Sequence, residues 1–197
     1  MKLHTFGDSH SHIGWEFSIP KLSIQHGMCG PYTMSRFGTE KLNFLNIKKV
    51  NVNEGDGVCF CFGEIDCRTH ICKQENFKMR EDLMNEITFR YFEAIKANVD
   101  QYMNLTTMIL SIVPTPTKIN TIENREYPFV GTDDERKDIT LYMNSKLKEY
   151  CEKYGYMFLN VYEKYCDENG FLNKELSDGH VHIKNGCYIQ EFLEKTI

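Results

Sequence analysis

A chain of 197 residues, 41% hydrophobic and 26% charged, is long enough for one domain with a real core and has ordinary globular composition. Its net charge of −5 argues against nucleic acid or an anionic membrane surface as the main partner. No apolar run reaches the ~20 residues of a membrane span, and the amino terminus lacks the charged-then-apolar layout of a signal peptide. The expectation is a single cytoplasmic domain over residues 1–197, alone or within a longer polypeptide.

Taken in order, Lys2 to Phe6 is a short apolar run that reads as a buried strand, broken at Gly7-Asp8 and followed by Ser9. Ser11 to Ile24, with the single tryptophan Trp15, reads as a short helix or loop over the site. His26-Gly27-Met28-Cys29-Gly30-Pro31 reads as a loop whose backbone can approach a ligand closely. Val50 to Asn53 alternates, Glu54-Gly55-Asp56-Gly57 turns the chain, and Val58 to Phe62 is a central strand ending in the polar cluster Gly63 to His70. From Met79 to Tyr102 the residues Leu83, Ile87, Tyr91, Ile95 and Val99 step by four, marking an amphipathic helix.

Thr107 to Val113 is a further buried strand, stopped by Pro114 and Pro116, and Lys118 to Gly131 is a long polar loop holding Arg125 and Tyr127. Thr132 and Glu135 have capping-box spacing and open a helix that faces inward through Ile139, Met143, Leu147 and Cys151. Tyr156 to Val161 is the last strand, and a short helix closes the chain from about Lys184 to Lys195. Alternating strands and helices predict a parallel sheet covered on both faces. The loops at Ser9, Gly30, Gly63 and Asp178 would then meet along one sheet edge, where open α/β folds place their chemistry.

The eight cysteines include no C-x-x-C pair, and Cys59 and Cys61 alternate within a strand and share one face. They read as reduced thiols packed as small hydrophobes, not as a zinc site or a disulfide framework. Ser9 becomes a nucleophile if a base reaches it. The segment Ser177-Asp178-Gly179-His180-Val181-His182 offers an acid beside two histidines.

Those clusters, in that order, resemble the SGNH (GDSL-like) hydrolase superfamily. Gly7-Asp8-Ser9-His10 looks like its first block, Gly27 to Gly30 like its second, Gly63-Glu64-Ile65-Asp66 like its third and Asp178 with His182 like its last. The resemblance implies a three-layer α/β/α fold around a mainly parallel five-stranded sheet, SGNH/flavodoxin-like in architecture. It implies a catalytic triad of Ser9, His182 and Asp178, with the Ser9 and Gly30 amides as oxyanion donors. Asp8, Glu64, Asp66, Arg68 and Arg125 are the expected substrate contacts, and no metal is expected.

Two departures stand out. Ile65 occupies the third-block position where the family has an asparagine donor, a group whose loss typically costs ~3 kcal/mol of transition-state stabilisation. Asp178 lies four residues before His182 and two before His180, where the family spacing is three. His182 is preferred as the base because Ile183 and the following helix continue the family pattern; His180 stays open.

The phrase Gly63 to Arg68 is also similar to SGNH-like domains of polysaccharide gene clusters, including those of giant viruses. The resemblance therefore points to an acetyltransferase carrying acetyl from acetyl-CoA, as co-substrate, to a sugar or nucleotide-sugar. A carbohydrate O-acetylesterase is the alternative. No tightly bound cofactor, nucleic acid or membrane partner is expected, and a homo-oligomer is compatible with the reading.

Asp8-x-His10-x-His12 also resembles the metal-binding motif of amidohydrolase and PHP-type hydrolases. Against that reading, a (β/α)₈ barrel usually needs ~250 residues.

Overall fold

The computed structural model describes residues 1–74 and 76–197. Five strands form one sheet in the order β2-β1-β3-β4-β5, every neighbouring pair parallel. They are β1 (Lys2–Gly7), β2 (Ser23–Cys29), β3 (Gly57–Cys61), β4 (Thr106–Leu110) and β5 (Met157–Leu159). The principal helices are α1 (Met34–Glu40), α2 (Phe77–Val99), α3 (Asp133–Tyr154), α4 (Tyr162–Tyr165) and α5 (Cys187–Thr196). None of the described helices is long and apolar enough to cross a membrane.

The period-two alternation of the central strands divides the core between two layers. Phe6, Val58, Phe60 and Ile109 face one side, packed with Phe37 of α1, Tyr91 and Ile95 of α2, and Met143 and Leu147 of α3. Leu3, Cys59, Cys61, Met108 and Leu110 face the other, against Tyr165 of α4 and Ile189 and Leu193 of α5. Each of the Val, Leu, Ile, Phe and Met side chains among these contributes about 1.5–3 kcal/mol through burial. All eight cysteines are free, and Cys59 and Cys61 share a face with their sulfurs 3.7 Å apart.

The helix α3 starts with the expected capping box: the Thr132 hydroxyl accepts from the Glu135 amide, and the Glu135 carboxylate accepts from the Thr132 amide.

The segment from Ser23 to Cys29 is a strand, although the sequence reads as a loop from His26 onward. Its side chains are largely exposed because β2 is the sheet edge, so no continuous apolar run announces it. Register shifts between Thr5 and Phe6, leaving Gly27 as the extra residue of a bulge; a Cβ there would lie 2.3 Å from the Phe6 ring. Val50 to Asn53, which alternates, lies instead at the end of a 3₁₀ turn with Asn51 in the left-handed region.

Trp15 does not cover the site. It is buried in the second core layer, and its indole N–H donates to the His10 carbonyl at 2.8 Å. Helices α1 and α4 carry too few residues for their apolar spacing to stand out in the sequence.

Candidate active site

The carboxyl ends of β1 and β3 deliver the first half of the site. The Asp8 amide extends the pairing of β1 with β3 by donating to the Cys61 carbonyl at 2.9 Å, and the chain then leaves the sheet. The Asp8 carboxylate caps a single 3₁₀ turn, Ser9–Ser11, by accepting from the His10 amide. Ser9 therefore stands at the top of the sheet on a fixed turn.

The second half comes from the carboxyl-terminal loop. Ser177 and Ile183 form an antiparallel bridge, and the Asp178 amide donates to the His182 carbonyl at 3.1 Å. This closed loop lays the two side chains next to each other. Gly179 turns this loop in the left-handed region at φ +88°, and Asp178 Oδ1 accepts from the His180 amide.

Ser9 Oγ lies 2.7 Å from His182 Nε2, and His182 Nδ1 lies 2.8 Å from Asp178 Oδ2. An ionised carboxylate only accepts, so the proton on His182 sits on Nδ1 and leaves Nε2 to receive the serine proton. Of the two candidate histidines, His182 meets the serine; His180 Nδ1 lies 3.3 Å from the Ile122 carbonyl.

Burial lowers the basicity of His182, and the neighbouring His10 lowers it further against the opposing pull of Asp178. Burial alone would raise the Asp178 carboxyl, but hydrogen bonds from the His182 ring and the His180 amide hold it below the usual range.

Ser9 and His182 open into a cavity of about 480 Å³, within the size range of small-molecule sites. Pro31, Ile65, Ile122 and Val181 give it apolar walls, and Asn124, Glu126, Tyr127 and His180 add polar groups. Gly30 also lines it. Ile65 is an apolar wall at the third-block position and supplies no side-chain donor.

Several expected substrate contacts lie elsewhere. Asp8 is buried and bonded to His10, so it does not face the cavity. Glu64 accepts from Arg68 Nε at 2.5 Å and Nη2 at 3.0 Å, a buried bidentate pair that engages both carboxylate oxygens, and it is not among the residues lining the cavity. Asp66 turns onto α1 and accepts from the amides of Met34 at 2.7 Å and Ser35 at 3.3 Å. Arg125 is exposed and is not among the residues lining the cavity.

Arg68 does line the cavity, but its guanidinium is already held by Glu64 and by the Tyr127 carbonyl. It fastens the loop. Thr69 Oγ1 donates to the Pro128 carbonyl and the Val130 amide to the Arg68 carbonyl, so the turn Asp66–His70 anchors the far end of Lys118 to Gly131.

Asn124, Glu126 and Ile122 were not singled out by the sequence, since a polar loop carries no periodic signal. The two histidines of the Asp8-x-His10-x-His12 motif diverge. His10 bonds Asp8 and lies near the Val181 carbonyl, whereas the His12 ring packs edge-on against His26. The sheet is open, and among the described residues no group of three His, Cys, Asp or Glu side chains is arranged to hold a metal ion.

No family model and no curated protein matches this sequence. Solved structures do. A Streptococcus pneumonia protein provisionally assigned as a platelet activating factor superposes with a TM-score of 0.68 at 16% identity, covering 98% of this chain and 82% of its own. A GDSL-like lipase from Bacteroides thetaiotaomicron gives 0.60 at 15% identity, covering 100% and 89%. Phospholipase A1 from Streptomyces albidoflavus gives 0.59 at 11% identity, covering 100% and 99%. With its all-parallel sheet in the order β2-β1-β3-β4-β5 and these neighbours, the chain has the fold of the SGNH (GDSL-like) hydrolases.

Proposed function

We propose that this chain is a serine acyl hydrolase that cleaves small acyl esters through an acyl-Ser9 intermediate. The observation that carries the reading is the continuous chain from Ser9 Oγ through His182 to Asp178, at 2.7 and 2.8 Å, opening on a cavity. In the reaction, Ser9 Oγ attacks the carbonyl carbon as its proton passes to His182 Nε2. Asp178 keeps the ring in the required tautomer and stabilises the imidazolium. The Ser9 and Gly30 amides receive the developing oxyanion, and collapse of the adduct breaks the ester bond as the leaving alcohol takes the proton from His182. Water repeats the sequence on the acyl-serine and releases the acid.

The same acyl-serine serves transfer when an acceptor excludes water. Asn124, Glu126 and His180 on the cavity wall favour a polar acceptor such as a sugar hydroxyl or amine. The finer reading is thus acetyl transfer from acetyl-CoA to a sugar or nucleotide-sugar, with carbohydrate O-acetyl ester hydrolysis as its counterpart.

A fluorophosphonate probe should label the protein at Ser9, and Ser9→Ala should abolish labelling. Incubation with nitrophenyl acetate, acetylated sugars, or acetyl-CoA with amino-sugars then separates hydrolysis from transfer by the release of phenol, acetate or CoA. Labelling that persists in Ser9→Ala would overturn the assignment.

A further inference from the structure

We propose that His10, held as an imidazolium by Asp8, is a positioning residue that clamps the Val181 carbonyl and so seats His182 against Ser9. The inference rests on the reading of His182 as the base. Its own ground is hydrogen-bond arithmetic around one buried ring. His10 Nδ1 lies 2.9 Å from Asp8 Oδ1, and His10 Nε2 lies 3.2 Å from the Val181 carbonyl oxygen. A carboxylate and a carbonyl both only accept, so each ring nitrogen must carry a proton, and a ring with two N–H groups is a cation. The Trp15 indole fixes the ring's own backbone through the His10 carbonyl.

Val181 directly precedes His182, so the clamp acts on the backbone of the base. It also joins the turn after β1 to the carboxyl-terminal loop, the two pieces that must meet for the serine and imidazole to touch. The His10 and His182 rings lie 5.0 Å apart between centroids. A fixed cation at that distance disfavours a second one, which keeps the resting His182 neutral and able to accept the serine proton.

The other charges facing the pair are Asp8 and Asp178, each bonded to one ring, and Glu64 at the end of β3, itself paired with Arg68. Burial opposes the charge on His10, but Asp8 prevails and raises its affinity for the proton, with Glu64 and the Val181 carbonyl adding to it. The arrangement keeps His10 charged and His182 neutral in the same pH range.

The test is a ¹⁵N-resolved NMR titration of the histidines in the wild-type protein, which does not depend on turnover. His10 is expected to show two protonated ring nitrogens at neutral pH while His182 shows one. A His10 with a single proton there would overturn the proposal. The second arm is the Asp8→Asn/His10→Gln double variant, which keeps a donor for the Val181 carbonyl and removes both buried charges together. In the folded double variant His182 should titrate at higher pH, and the acid limb of kcat/KM should move up with it. A folded double variant with an unmoved His182 midpoint would overturn it. If the variant does not fold, the wild-type titration decides alone. A protein inactive towards every acyl ester would defeat the hydrolase reading and leave the NMR result standing.

Discussion

Asp178 and His182 face each other across a loop closed by their own backbones: the Asp178 amide donates to the His182 carbonyl while the His182 ring donates to the Asp178 carboxylate. The acid is about a quarter exposed and also accepts from the His180 amide, so it orients the ring from a partly solvated position. Asp178→Asn presents an amide that can offer Nδ1 a donor where an acceptor is needed, favouring the wrong tautomer. A fall in kcat of about 10²- to 10⁴-fold with little change in KM is expected. A fall in kcat/KM traceable to KM alone would argue that Asp178 shapes the cavity and does not serve the base.

The pH dependence follows from the same ring. Burial, then the cation at His10, push His182 below the ordinary histidine value. The reactive form is the neutral one, so activity is retained as pH falls past the point where an ordinary histidine protonates, and is lost through the lower value. The profile of kcat/KM on a neutral ester should therefore have its acid limb on the acid side of a free imidazole. A limb on the alkaline side would mean that Asp178 outweighs burial and His10.

Ile65 and Ser9 line the same cavity, and Ile65 carries no donor. On the proposed mechanism the oxyanion has two amides and no side-chain donor, and such a donor is worth roughly 10²- to 10³-fold where it has been removed. Ile65→Asn should raise kcat for nitrophenyl acetate by about 10-fold or more if its amide reaches the oxyanion. Because Ile65 is almost fully buried, the same change should destabilise the fold by about 1–3 kcal/mol. A folded variant with lower or unchanged kcat would show that the third position does not face the reacting carbonyl.

How much of this was legible depends on the kind of signal. The strand ending at Gly7, the central strand at Val58 and the helices through Tyr91 and Met143 announce themselves because their apolar periods match the layers they face. The edge strand Ser23–Cys29 does not, since an exposed edge needs no apolar face. In the site, the approach of Ser9 to His182 followed from paired blocks at the two ends of the chain. The fate of Asp8, Glu64 and Asp66 did not, because a charged residue at a strand end reads the same whether it grips a ligand, a neighbouring arginine or a helix amide. Only the partners distinguish them, and those lie two to thirty-two residues away.

Arg68 and Glu64 illustrate the consequence. The pair is buried, bidentate and joined to the Tyr127 carbonyl, so the guanidinium ties the cavity loop to the end of β3. Arg68→Ala would leave Glu64 as an unpaired buried charge and release the loop, at a cost of about 3–5 kcal/mol. Arg68→Lys cannot restore the fork and should recover only part of that loss. Urea unfolding measures both; equal stability of Arg68→Ala and wild type would mean that the loop is held by Thr69 and Val130 alone.

Asp66 carries the last prediction. Burial pushes its carboxyl up to about 7 from 3.8, with the Asp8 charge adding to the shift and the Met34 and Ser35 amides opposing it. The folded value lies above the unfolded one, so the native state holds the proton more tightly. The stability this supplies is fully present below the unfolded value of 3.8 and is lost as pH rises through about 7. Asp66→Asn does not titrate, and its amide offers Met34 the same neutral acceptor as the protonated acid. The wild type should therefore lose stability relative to Asp66→Asn between about pH 4 and about pH 7, read as a change in the gap between their urea midpoints. A gap that stays constant across that window would show that the helix amides, and not burial, govern this carboxyl.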